Sequence, residues 1–405
     1  MIDLRRHVAA GDGVWWGQAA AEATPLVDAL HAQVGDIGAV RGFCGIAPHR
    51  RDRPPGLTLV SYGAMGELRR VPGLEIVPGH YSTLPRLFAQ RLLPGDVGLV
   101  QVAPPGPDGT CSLGIGVDYA ADAARWSRTL IAEINHRMPV TAGTPGIPLD
   151  RFAAVVETDR ALPEFPDRTP DAVDEAIAAH VADLVRDGDT IQLGVGSLPA
   201  AILNGLSGHR DLGVHTGMIT DGVLRLVDAG VITGRHKEID PGVVVTGTAL
   251  GGADLYARVG GMPVEFRPAG YTHGAAVLAR LSRLVSINSA LQVDLTGQVN
   301  GESVGGRYLG GVGGQADFSG AAARTGARSV IALRSTSGGA STIVPLLDHG
   351  TVTTARADVD TVVTEHGVAH LRGRPLHERP AHLAAIAAPE HRDTLLSDTL
   401  LRGRR

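Results

Sequence analysis

The chain has 405 residues, 42 acidic against 37 basic side chains for a formal net charge of −5, and 43% hydrophobic but only 4% aromatic residues. That length predicts two domains of about 150–250 residues each. The charge balance argues against a nucleic-acid surface, and no run of about 18 apolar residues offers a membrane span.

Apolar runs of strand length alternate with stretches of helical period. In chain order, AAAEATPLVDALHAQV (19–34) and STLPRLFAQRLL (82–93) read as helices, and DVGLVQVA (96–103) and TLIAEIN (129–135) as buried strands. DAVDEAIAAHVADLVRDG (171–188) reads as an amphipathic helix with its cap at Thr169 and Pro170. TIQLGV (190–195), GVVVTGTAL (242–250), RLVSINS (283–289), SVIAL (329–333) and VDTVVTEHG (359–367) are strand-like. The alternation predicts an α/β fold of two open, largely parallel domains. PEFPDRTPD (163–171), with three prolines, is the expected boundary between domains at 1–165 and 170–405. With so few aromatics, Ala, Val, Leu and Ile are expected to do most of the packing.

The N-terminus, MIDLRRHVAAGDGVWWGQ, has no signal-peptide core, and Cys44 and Cys111 read as free thiols. The expectation is a cytoplasmic protein. Sixteen histidines show no convincing metal spacing; HGVAH (366–370) reads as surface histidines, so no metal site is expected.

Two glycine loops stand out among 54 glycines. In DTIQLGVGSLPAAILNGL (189–206), Gly194 and Gly196 flank a strand-to-helix turn whose amides could face a carbonyl oxygen or a phosphate. A plain turn without ligand explains this segment equally well. In YLGGVGGQADFSGAAAR (308–324), Gly310, Gly311, Gly313 and Gly314 crowd ahead of an Ala-rich helix. Their backbone entropy cost points to a binding loop rather than a mere turn. Two such loops could hold an elongated pantetheine arm. Between them, DLTGQVNGES (294–303) carries Glu302, the carboxylate to watch in what is otherwise a polar loop.

The chain resembles the acetyl-CoA hydrolase/transferase family nearly end to end. The resemblance is carried by APPGPDGTCSLGIGVD (103–118), IAEINHRMP (131–139), LGVGSLPAAIL (193–203), HTGMITDGVLRLVDAGVI (215–232), EFRPAGYT (265–272), INSALQVDLTGQVN (287–300), GGVGGQADF (310–318) and ARADVDTVVTEHGVAHLRG (355–373). It implies two open α/β domains of the CoA-transferase type with the site between them, a homo-oligomer, and acyl transfer between coenzyme A and carboxylates. It implies that Gly194, Val195, Gly196, Ser197 and Leu198 bind CoA. It also implies that Gly311, Val312, Gly313, Gly314 and Gln315 line the thioester site. No cofactor is expected to be bound permanently; coenzyme A or a phosphopantetheine thioester is the substrate.

Three departures accompany the resemblance. The family nucleophile is a glutamate in a segment of the form HTEM, whose carboxylate attacks the acyl thioester and then carries CoA; here the segment is HTGM and the position is Gly217. In RSTSGGASTIVP (334–345), Ala340 replaces a lysine and Thr342 a later basic residue that meet CoA phosphates in the family. Losing one such contact costs about 1.5–3 kcal/mol. Gln18, in VWWGQAA, stands where relatives often have histidine. Asp221, one helical turn past Gly217, is expected to cap or pack.

Three readings follow. In the first, a thioester is attacked directly by a small-molecule acceptor or water. The missing side chain opens space for that acceptor, His215 or Glu302 acts as base, and an acyl carrier protein is a candidate donor alongside CoA. In the second, activity is lost and the fold binds a ligand or partner. In the third, ordinary CoA transfer runs through another carboxylate such as Glu302.

Overall fold

A computed structural model describes residues 2–347 and 351–397. Its contacts divide the chain into two units. The first holds the residues up to Pro166 together with Gly217–Asp221 and Val244–Gly274. The second holds Asp167–Thr216, Gly222–Val243 and the chain from Ala275 onward.

The first unit is built on seven parallel strands in the order Phe152–Thr158, Thr129–Asn135, Val97–Val102, Gly13–Trp16, Val40–Phe43, Leu57–Ser61, Glu75–Ile76. Gly13–Trp16 and Val97–Val102 are buried throughout, as a parallel sheet covered on both faces requires. Successive strands are added outward on both sides of Gly13–Trp16. Strand order therefore reverses at Gly13–Trp16, and in open α/β sheets ligands collect beyond the strand C-termini at such a reversal. Gly98 shows how closely the sheet is packed: a Cβ there would stand 2.6 Å from the Trp15 ring on the neighbouring strand. A core of Val14, Leu26, Val27, Leu30, Val40, Leu57, Leu99 and Ile131 fills the space under helix Thr24–Ile37.

The second unit carries six strands in the order Gly213–Val214, Thr190–Gln192, Leu284–Ser289, Arg328–Ala332, Thr361–Thr364, Gly367–His370, all parallel except the last pair. Val293, Ile331, Leu333, Ile343, Val362 and Leu383 pack one face, and Leu278, Leu281, Leu284, Phe318 and Ala322 another. Cys44 and Cys111 are buried and unbridged. Among the described residues no helix is long and apolar enough to cross a membrane.

Several local expectations are corrected. The stretch 19–34 is not one helix: Ala19–Ala21 forms a 3-10 turn, and the helix starts at Thr24 with Pro25 in its first turn, a position where a missing N–H costs nothing. Helix Ala172–Ala182 is capped by Asp171, whose carboxylate accepts from the Val173 and Asp174 amides, not by Thr169. GVVVTGTAL is not one strand. Val244–Thr246 pairs with Val264–Phe266 and Thr248–Ala249 with Met218–Ile219, the break falling at Gly247. HGVAH, read as surface histidines, lies largely on hairpin strand Gly367–His370, with His366 and His370 both exposed.

Candidate active site

The C-terminal ends of the first unit's central strands bring together a buried polar cluster. Gln18 follows Gly13–Trp16, Gly45 follows Val40–Phe43, Tyr62 follows Leu57–Ser61, and Asp118 opens helix Asp118–Trp126. Gln18 sits at the centre. Its Nε2 donates to Asp118 Oδ2 at 2.6 Å and to the Tyr81 hydroxyl at 3.0 Å, and its Oε1 accepts from the Tyr62 hydroxyl at 2.8 Å. Gly45 leaves room for this arrangement, since a Cβ there would collide with Gln18 Oε1 and lie 2.6 Å from Tyr62. The scarce aromatics are concentrated behind the cluster: Trp15, Phe43, Tyr62, Phe88 and Tyr119 pack edge-on or tilted at centroid distances of 5.2–6.5 Å. Such pairs add about 0.5–1.5 kcal/mol each beyond area burial.

Asp118 is 2% exposed and accepts from the Gln18 side-chain amide and the Ala120 N–H. Burial pushes its carboxyl up to about 6, against the Gln18 and Ala120 hydrogen bonds that favour the charged form. Burial likewise pushes the Tyr62 and Tyr81 phenols well up, with the Asp118 charge adding to the effect. The cluster thus holds protons on groups that water would leave more acidic.

Gly217 is tied to this cluster through the backbone. Its carbonyl accepts from the Gly247 and Thr248 amides, both at 3.1 Å, and the Gly247 carbonyl accepts from Val117 and Asp118 at 3.1 and 3.0 Å. Met218 packs on Ala19, Ile46 and Leu250. A Cβ at residue 217 would stand 2.8 Å from Cε1 and 2.9 Å from Nε2 of His273. The expectation that a missing side chain opens space at 217 is therefore corrected: the imidazole of His273 already occupies the place where a side chain would begin.

His273 is 4% exposed. It follows helix Ala269–Thr272, whose Ala269 and Gly270 amides are satisfied by Asp122, itself pushed up to about 6 by burial. The Tyr81 ring lies 4.7 Å from the imidazole centroid. The Thr272 hydroxyl donates to the Pro268 carbonyl at 3.3 Å and lies 2.8 Å from His273 Nδ1. Nε2 and Cε1 form the ring edge that faces residue 217.

The other residues singled out in the sequence lie in the second unit, except Asp221, which lies in the first. Gly194 to Leu198 join strand Thr190–Gln192 to helix Ser197–Gly205. Gly196 has φ +127°, Val195 is exposed, and a Cβ on Gly194 would meet nothing within 4 Å. Gly311 to Gln315 lead into helix Gln315–Thr325 with Gly314 at its N-terminus. Val312 is half-buried, Gly313 has φ +51°, and Gln315 Nε2 donates to Thr354 Oγ1 at 3.1 Å. His215 is fully buried just past Gly213–Val214, with its amide donating to the Ile191 carbonyl. Glu302 is 1% exposed. Its Oε1 accepts from Thr353 Oγ1 at 2.9 Å and its Oε2 from the Tyr308 hydroxyl. Asp221 accepts from the Gly252 amide at 3.1 Å.

Asp118, Tyr81 and His273 were not singled out by the sequence. Asp118 ends the quoted segment APPGPDGTCSLGIGVD and His273 follows EFRPAGYT, but only folding brings them beside Gly217.

Comparison with known proteins gives this chain its relatives. The family model "Acetyl-CoA hydrolase/transferase N-terminal domain" matches residues 73–164, and "Acetyl-CoA hydrolase/transferase C-terminal domain" matches 251–399. A 4-hydroxybutyrate coenzyme A transferase of Clostridium kluyveri is 42% identical over 80% of this chain and 77% of its own length. A succinyl-CoA:acetate/propanoyl-CoA:succinate CoA transferase of Fasciola hepatica is 35% identical over 79% of this chain and 69% of its own. The crystal structure of a 4-hydroxybutyrate CoA-transferase from Porphyromonas gingivalis superposes with a TM-score of 0.83 at 34% identity, covering 98% of this chain and 95% of that one. The chain belongs to the acetyl-CoA hydrolase/transferase family, whose members act on thioesters of coenzyme A.

Proposed function

We propose that the protein transfers or hydrolyses an acyl group from a pantetheine thioester by direct attack of the acceptor, without a glutamyl-CoA intermediate. One observation carries this reading: residue 217, where the resemblance of HTGM to HTEM puts the family's glutamate, has no side chain and abuts the imidazole edge of His273. A glycine cannot form an acyl anhydride, so the acyl group passes straight to the acceptor. The glycine loops at 194–198 and 311–315 supply main-chain amides for the thioester arm, and both precede helices whose N-terminal N–H groups favour a developing negative charge. With Ala340 and Thr342 offering no cation for the CoA phosphates, a carrier-protein thioester is as acceptable a donor as CoA.

Glu302 is poorly suited to replace the missing nucleophile. It is 1% exposed and each of its oxygens is held by a hydroxyl group, so the carboxylate is not free to swing into attack geometry on a thioester carbon.

Steady-state kinetics test the reading. Thiol release from acetyl-, butyryl- and 4-hydroxybutyryl-CoA, and from the matching carrier-protein thioesters, is followed with acceptor varied against donor. Direct transfer gives intersecting lines in a double-reciprocal plot. Parallel lines, the signature of a covalent enzyme form, overturn it, as does a panel in which no thioester is consumed.

A further inference from the structure

We infer that Phe152–Thr158, the edge strand of the first unit's sheet, pairs antiparallel with the same strand of a second copy of this chain. The strand has one neighbour, Thr129–Asn135, and among the described residues nothing pairs with its other side. From Ala154 to Thr158 the register with that neighbour is regular; the irregularity lies between Phe152 and Ala154. The Thr158 carbonyl accepts from the His136 amide, just past Thr129–Asn135. Successive residues of a strand direct their N–H and C=O to opposite sides. Thr158, Val156 and Ala154 therefore turn theirs to the neighbour, and Glu157 and Val155 turn theirs outward. Such an open row is a ready surface for another strand. Natural edges are often blunted by proline or lysine, and FAAVVET holds neither. Ala154 and Val156 pack on the core, whereas Ala153, Val155 and Glu157 are exposed, Val155 to 40%.

Charge identifies the occupant. Arg151 lies just before the strand and Asp159 just after it, equidistant from Val155, and both are exposed. A two-fold axis at Val155 sets Val155 opposite the partner's Val155, Ala153 opposite the partner's Glu157, and Arg151 opposite the partner's Asp159. The outward N–H and C=O of Val155 then form the reciprocal pair of bonds that an antiparallel ladder requires. The two-fold repeats the charge pair, as an isologous contact does. An axis at Val156 loses the match, since Asp159 then meets the partner's Ala153 and Arg151 the partner's Ala161. An axis at Ala154 runs into the irregularity. In its own chain the Arg151 guanidinium meets no carboxylate among the described residues; it donates to the Ser127 carbonyl at 2.6 Å. That bond keeps the exposed Trp126, next to Ser127, near the start of the strand, where Leu149 is exposed as well. Both offer apolar area at the ends of the paired strands. The pairing stands or falls independently of the acyl chemistry proposed above.

The experiment uses the full-length chain. Analytical ultracentrifugation at micromolar concentration is expected to show a dimer. A monomer overturns the inference and leaves the edge to a strand of some other protein. Val155→Cys is expected to form an intermolecular disulfide under mild oxidation. Directly opposed residues of a hydrogen-bonded antiparallel pair have Cα atoms about 5.5 Å apart, inside the range of about 4.4–6.8 Å that a disulfide spans. Val140→Cys, at another exposed position of the same unit, is the control and is expected to stay unlinked; Cys44 and Cys111 are buried. A wild-type dimer in which Val155→Cys crosslinks no better than Val140→Cys overturns the pairing, because the copies then meet elsewhere. Charge reversal tests the register. Arg151→Asp and Asp159→Arg are each expected to weaken the dimer about tenfold or more, by setting like charges face to face. The double variant is expected to return to within about threefold of wild type. A double variant no tighter than either single one overturns the two-fold at Val155. Circular dichroism checks the fold of each variant; the substituted positions are exposed, so folding is expected to be kept.

Discussion

The surroundings of Gly217 and of Glu302 differ in how their acidic groups are answered. Around Glu302, the Thr353 and Tyr308 hydroxyls meet the carboxylate, the Asn300 side chain accepts from the Glu302 amide, and the Glu302 carbonyl accepts from Leu309 and Gly310. That side chain staples the segment leading into a glycine loop. Around Gly217, Asp118 is answered by a neutral amide and its carboxyl rises to about 6, while the buried imidazole of His273 faces the glycine. A satisfied carboxylate is a structural part, whereas a buried one answered by no charge is held closer to protonation. Glu133 in the first unit gives the structural pattern at full strength: it is completely buried and held by Arg160 through bonds of 2.7 and 3.0 Å.

The comparison can be broken most sharply by rebuilding a nucleophile. Gly217→Glu alone is expected to form no covalent CoA adduct, because its Cβ runs into His273. Gly217→Glu combined with His273→Ala is expected to yield an adduct detectable by intact mass. An adduct in the single variant shows that His273 does not hold the space. Next in size, Arg160→Ala leaves Glu133 buried and unpaired, and is expected to cost about 3–5 kcal/mol in urea unfolding. A loss under about 1 kcal/mol contradicts the structural reading of that pair.

Asp118 gives a pH-dependent contrast. Its carboxyl is raised from 3.8 to about 6 in the fold, so it favours the folded state in its protonated form. That contribution is complete below about pH 4 and is lost as pH rises through 6. A rise of about two units corresponds to roughly 3 kcal/mol. Measured at pH 4 and pH 8, the stability of Asp118→Asn relative to wild type is expected to move in favour of the variant by up to that amount. A difference that does not change with pH contradicts the raised carboxyl. The smallest effect concerns Glu302. Glu302→Gln is expected to keep kcat within about threefold, because hydroxyl groups hold that side chain as a structural part; a hundredfold loss contradicts that reading.

The fold was legible in the sequence where burial is continuous. Val97–Val102, Thr129–Asn135 and Leu284–Ser289 are buried almost throughout and read as apolar runs with a few polar interruptions, because parallel strands are covered on both faces. It was less legible where a single residue redirects the chain: Pro25 delays a helix, and Gly247 divides one strand-like run between two partners. The glycine loops announced themselves by composition. The cluster at Gly217 did not, since His273, Tyr81 and Asp118 come from separate segments and carry no shared spacing. What the sequence raised was the glycine in HTGM; what fills its place required the fold.

Direct attack is tested by trapping. Wild-type protein is incubated with acyl-CoA, treated with borohydride, and weighed intact and as peptides, since a glutamyl thioester is reduced to an alcohol and keeps a permanent mass change. The account predicts an unchanged mass while thiol is released at the normal rate. A reduced glutamate in any peptide, that of Glu302 included, contradicts it.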